Sequence, residues 1–226
     1  MSRDNLIAHL QQIKDELLIL GSLVEIAMVK SVDALRRRDT NAARLIYLDD
    51  QFINQKRYTI ENDVVTLIAT QQPMARDLRR LAAMLEIASE LERMGDYAKG
   101  NCKVILSLGD IDIPVPIQQI EQMAQASVEM LHQALTAFLE EDSEAARQIP
   151  HLDDKVDLLF KESERFIIET MVAQPEIIDH ANLLMWVAHN IERMADRVTN
   201  ICERTIFVVT GELTELEVKP RNLFES

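Results

Sequence analysis

Glycine and proline are scarce in this chain, 5 and 6 among 226 residues. That shortage excludes a sheet protein, whose turns need Gly, Asn or Pro every ten residues or so. Runs of β-branched residues are scarce as well. The only cysteines, Cys102 and Cys202, stand inside helix-like text rather than in a short-spaced framework, which excludes a disulfide-stapled secreted domain and suits reduced thiols in a cytoplasm. No stretch free of Asp, Glu, Lys and Arg exceeds the 12 residues of 64–75 and 180–191, whereas a membrane helix needs about 20. The opening residues reach Lys14-Asp15-Glu16 before any long apolar run, which is not the layout of a signal peptide. An excess of basic residues is missing too: 38 Asp and Glu outnumber 24 Lys and Arg, a net charge of −14. Such a chain repels a phosphate backbone, so nucleic acid is excluded as a direct partner, while cations and basic protein surfaces are favoured.

What is present is helical. With 47% hydrophobic residues the chain is too apolar to be a disordered acidic tail. Leu6, Leu10, Ile13, Leu17, Leu20, Val24, Ala27, Ser31 and Ala34 step alternately by four and three, a heptad seam on one long helix. Arg36-Arg37-Arg38 suits the solvated negative end of that helix. Thr40 offers an N-cap for a second helix to about Gln72, and Pro73 opens a third to about Ser107. Residues 108–116, reading LGDIDIPVP, form a linker. The three-and-four stepping restarts at Ile117, Ile120, Ala124, Ser127, Leu131, Ala134 and Phe138. Ser143 is a capping candidate, Pro175 opens a last helix to about Val209, and 210–226 reads as a frayed tail.

The restart is a duplication. Asp39, Ala42, Ala43 and Arg44 match Asp142, Ala145, Ala146 and Arg147 at an offset of 103, Gln72-Pro73 matches Gln174-Pro175 at 102, and Glu92-Arg93-Met94 matches Glu192-Arg193-Met194 at 100. The drift of three is what small deletions in one ancestral unit leave. The expected architecture is all-α: two tandem, pseudo-symmetric three-helix bundles over 1–107 and 117–209.

Each bundle carries an unusual pair of pairs. Glu92 and Asp96 stack four apart on one helix face, where like charges repel, and Asp50 and Asn54 share that spacing on the preceding helix. In a helical hairpin, residues equally far from the turn lie level. Asp50 and Asp96 are each 23 residues from Pro73, and Asn54 and Glu92 are each 19. Around Pro175, Asp153 and Asp196 lie 22 and 21 residues away, and Asp157 and Glu192 lie 18 and 17. Four oxygen-bearing side chains are therefore expected to face one another in each bundle. Such hard donors suit Fe, Mn, Mg or Ca, with Zn less preferred, and carboxylates can bridge several ions. The plainer alternative is a solvated acidic face with Arg93 or Arg193 as the salt-bridge partner. Glu129-x-x-His132 has the spacing of a di-iron bundle but no second copy, His189 lies on roughly the face of Glu192, and the two thiols read as buried. No Gly-rich phosphate loop or catalytic nucleophile pattern is present, so an enzyme is not expected.

Residues 68–79, reading IATQQPMARDLR, followed by LERMGDYA at 91–98, resemble the PhoU family of bacterial phosphate-transport regulators, over about residues 5–209. The resemblance implies six helices in two three-helix bundles, with multinuclear iron or zinc clusters on the acidic motifs, other divalent cations being possible. It carries the ligand role onto Asp50, Glu92, Asp96, Asp153, Asp157, Glu192 and Asp196. Asn54 stands where the family has an acid, and 173–176 shortens the turn motif. The implied function is a cytoplasmic, homodimeric negative regulator coupling the ATPase subunit of the phosphate ABC importer to a sensor histidine kinase. The rival readings are a metal-free helical adaptor and a ferritin-like di-iron protein.

Overall fold

A computed structural model of the chain describes residues 3–109 and 111–216. Among these residues every regular element is helical. Helices α1 (Arg3–Arg37), α2 (Thr40–Gln71) and α3 (Arg76–Leu108) build the first bundle. The second contains α4 (Ile117–Glu140), a broken rod, and α7 (Ile178–Thr210). The broken rod runs through α5 (Ser143–Gln148), a 3₁₀ turn (Ile149–Leu152) and α6 (Asp153–Ala173). Pro150 marks the break, since proline removes a ladder N–H and crowds the preceding turn.

The α1 seam is buried from Leu10 through Val24 and again at Ser31 and Ala34, while Ala27 is half-buried and Met28, Val32 and Leu35 join the buried stripe. A helix with 3.6 residues per turn drifts about 20° per heptad, so along α1 the stripe widens to take in the next residue. Arg38 is not merely a solvated end. Its guanidinium donates to the carbonyls of Ile111 and Ile113 at 3.0 and 2.9 Å and pairs with Asp112 at 2.9 Å, clamping the connection between the bundles.

Both expected caps fall one residue early. Asp39, in extended backbone, accepts from the Ala42 N–H at 2.9 Å, and Thr40 is already helical. Asp142 likewise accepts from the N–H groups of Glu144 and Ala145, displacing Ser143. An ionised carboxylate makes the stronger bond and complements the positive helix end. Asp39→Ala is therefore expected to cost about 1 kcal/mol, read as a fall of about 2–4 °C in melting temperature, with Thr40→Ala nearly neutral. The two prolines also precede their helices rather than opening them. Gln72 turns left-handed and closes α2, and Ala75, with φ of 49°, delays α3 to Arg76. Pro175 begins a 3₁₀ turn that ends at Ile177, ahead of α7. Within the expected tail, the Leu216 N–H donates to Glu203 at 2.8 Å; residues 217–226 lie outside those described.

The buried side chains of both bundles form one connected cluster. The repeats share it chiefly through α3 packed along α7, and also through α1 against α4. Gly21 permits the second approach: a Cβ there would lie 2.3 Å from Cδ1 of Leu135. The α3–α7 seam holds a buried polar group, Glu90. It accepts from Arg93 and Arg197, both at 2.8 Å, and from Asn200 at 3.0 Å, while Arg197 also donates to the Tyr97 hydroxyl at 2.6 Å. Asn190, the repeat mate of Glu90, donates to Asn101 at 3.0 Å.

Candidate functional site

The first acidic face lies between α2 and α3. Asp50 is buried beneath it, Asn54 and Glu92 are half-buried, and Asp96 is exposed. Burial, followed by the charges of Asp96 and Asp50, raises the Glu92 carboxyl above the ordinary range despite Arg57 nearby, so the charges expected to lie level are electrostatic neighbours. Two contacts already hold Asp50. Lys99 Nζ lies 2.6 Å from its Oδ2 and 4.0 Å from Asp96, and the Asn54 amide donates to it at 2.9 Å. The Asn54 amide nitrogen thus serves Asp50 as a donor. The bond to Asp50 holds the Lys99 ammonium above the usual lysine range, and the Tyr47 ring lies 5.4 Å from the same nitrogen, close enough for a cation–π contact.

The second face, between α6 and α7, is arranged differently. Asp153 sits at the first residue of α6, 1% exposed, and Glu192 is 2% exposed on α7. Asp157 is half-buried and Asp196 exposed. Burial, then the charges of Asp157, Asp196, Glu192 and Asp154, pushes the Asp153 carboxyl up to about 7. The other three candidates in this repeat therefore act on Asp153. Asp153 Oδ1 is buried without a hydrogen-bond partner. His189 Nδ1 lies 3.4 Å from Glu192 Oε2, with the rings of Phe160 and Trp186 beside the imidazole.

The two arginines of the plainer reading have further contacts of their own. Arg93 pairs with Glu90, and Arg193 lies over the Tyr97 ring at 5.3 Å. Among the described residues, no three carboxylate, imidazole or thiol side chains stand close enough to hold an ion as they are; the groups are neighbours without a closed shell. As a ligand set, the second face fits a hard divalent cation, because a buried carboxylate oxygen there lacks a donor and its chief charged neighbours are anions. The first face fits poorly, since an ammonium already neutralises its buried carboxylate. Helical spacing gives no sign of Lys99, because it meets Asp50 from 49 positions away. Comparison of repeat positions exposes it, for its mate is Thr199.

The remaining candidates are ordinary. Glu129 accepts from Gln133 at 2.8 Å, and His132 faces Glu25 at 3.6 Å. Cys102 and Cys202 are free and fully buried, and burial pushes both thiols up to about 12, which leaves them protonated and unreactive.

Fold and faces together define a tandem-repeat, all-helical protein with one acidic patch per bundle. The PhoU domain family matches residues 17–105 and 120–205, and the chain belongs to that family. A phosphate-specific transport system accessory protein PhoU homolog of Clostridium acetobutylicum is 32% identical over 96% of this chain and 99% of its own. The corresponding protein of Streptococcus pneumoniae (TIGR4) is 34% identical over 92% and 96%. The crystal structure of the phosphate transport system regulatory protein PhoU from Streptococcus pneumoniae superposes with a TM-score of 0.86 at 33% identity, covering 93% of this chain and all of that one. PhoU from Pseudomonas aeruginosa gives 0.84 at 29% identity, covering 91% of this chain and 99% of that one.

Proposed function

We propose that this protein is a non-catalytic, cytoplasmic regulator of phosphate uptake, acting as a homodimer, that uses a bound divalent cation to organise a docking surface. Its partners in this reading are the ATPase subunit of a phosphate ABC importer and the sensor histidine kinase of the phosphate response, and its effect on both is restraint. The accessory role of the relatives supports the process. Among the described residues no helix is long and apolar enough to cross a membrane, so membrane association in this reading is through partners. The observation that carries the cation is Asp153: a carboxylate excluded from water, one oxygen without a donor, with three further acids acting on it.

Asp153, Asp157, Glu192 and Asp196 would hold the ion, with His189 adjacent. Iron or zinc are the expected metals, other divalent cations being possible. The ion supplies neutralisation rather than chemistry, drawing α6 and α7 together at one height and stiffening the face they share. The test is a pull-down with the full chain from phosphate-replete cells, with and without chelator. Recovery of the importer ATPase or the sensor kinase, reduced by chelator, is the expected outcome. If neither partner is recovered, the regulatory reading fails. Equal recovery in both arms, with a melting temperature indifferent to chelator, supports the metal-free adaptor instead.

A further inference from the structure

We propose that Lys99 is the built-in cation of the first acidic face, occupying the place between Asp50 and Asp96 that an added ion would take and keeping such ions off that face. The inference rests on the reading of the acidic faces as ion sites.

Three observations carry it. The ammonium is 2.6 Å from the buried Asp50 and 4.0 Å from the exposed Asp96, bridging the inner and outer carboxylates of the pair of pairs. Its orientation is fixed by a second feature, the Tyr47 ring, 5.4 Å from the nitrogen. Both features are absent from the other repeat: Lys99 corresponds to Thr199 at the offset of 100, and Tyr47 to Pro150 at 103. Thr199 is too short and uncharged to do the same, and its buried Oγ1 has no hydrogen-bond partner. The first face thus holds three carboxylates, an ammonium and an amide, and the second holds four carboxylates. A divalent ion at the first face must expel the ammonium and break a charge-assisted bond to a buried acid. At the second the buried Asp153 Oδ1 has no hydrogen-bond donor to be displaced. One ancestral unit has in this way become two faces of different ion demand.

The test measures zinc retained per chain by elemental analysis, after full-length protein is equilibrated with zinc chloride and desalted. Asp153→Asn with Glu192→Gln is expected to lower retained zinc at least tenfold, because the first face contributes none. Adding Lys99→Thr to that double variant is expected to restore retention, and adding Asp50→Asn as well to abolish it again. Lys99→Met, which keeps the apolar stem, serves as a second variant should the threonine protein not fold. The inference is overturned if the double variant with Lys99 intact retains zinc that Asp50→Asn removes. It is equally overturned if folded Lys99→Thr and Lys99→Met proteins retain no zinc in that background. Should the wild type retain none while Lys99→Thr alone does, the second-face site is lost and the role of Lys99 stands.

Discussion

Asparagine in place of Asp153 is expected to stabilise the metal-free protein by about 2–4 kcal/mol at pH 8, an increase of roughly 5–15 °C in melting temperature for a chain of this size. The native carboxyl is pushed up to about 7, first by burial and then by Asp157, Asp196, Glu192 and Asp154. A carboxylate whose folded-state pKa lies above its unfolded value favours folding only while protonated. Its contribution is fully present below about pH 4 and is lost as pH rises through 7. The amide keeps the shape and removes the charge. The stability gap between variant and wild type, followed by urea denaturation with chelator present, should therefore be near zero at pH 4 and widest at pH 8. A gap that does not change with pH would mean that Asp153 is solvated or paired, and the strongest physical argument for an ion at the second face would go with it.

The second large effect concerns the join between repeats. Glu90, 6% exposed, receives the Arg197 guanidinium and the Asn200 amide across the α3–α7 seam, and the Arg93 guanidinium from its own helix. Glu90→Ala removes the acceptor and leaves Arg197, held also by the Tyr97 hydroxyl, without its carboxylate partner. Breaking a buried pair from one side costs about 3 kcal/mol or more, because the surviving charge is uncompensated. Glu90→Gln keeps one carbonyl acceptor and should cost distinctly less. Since the cluster joins the bundles, the alanine variant is also expected to broaden or split the urea transition, reporting that the repeats have begun to unfold separately. A loss below about 1 kcal/mol with an unchanged, single transition would show that apolar packing alone joins them.

Much of this molecule is legible from residue spacing. The heptad seams mark α1 and α4, because burial on a helix recurs with the helical period. The level placement of Asp153, Asp157, Glu192 and Asp196 follows from equal rise along antiparallel rods. Small errors arose where two residues competed for one local role: Asp39 and Thr40 are both capable caps, and only the backbone angles separate them. Larger gaps arose where the partner is remote. Lys99 contacts Asp50 from 49 positions away, and Glu90 meets Arg197 and Asn200 from the other repeat. No periodicity signals such pairs.

The order of amino acids by itself determined a helical class, a duplicated unit and the heights at which acids recur, since these depend on local geometry that repeats along a rod. Tertiary structure alone decided which acids are neutralised and how the two units join. Both depend on the distance and burial of groups far apart in the chain, and Lys99 against Thr199, with Asn54 against Asp157, leaves two faces of common origin with different net charge.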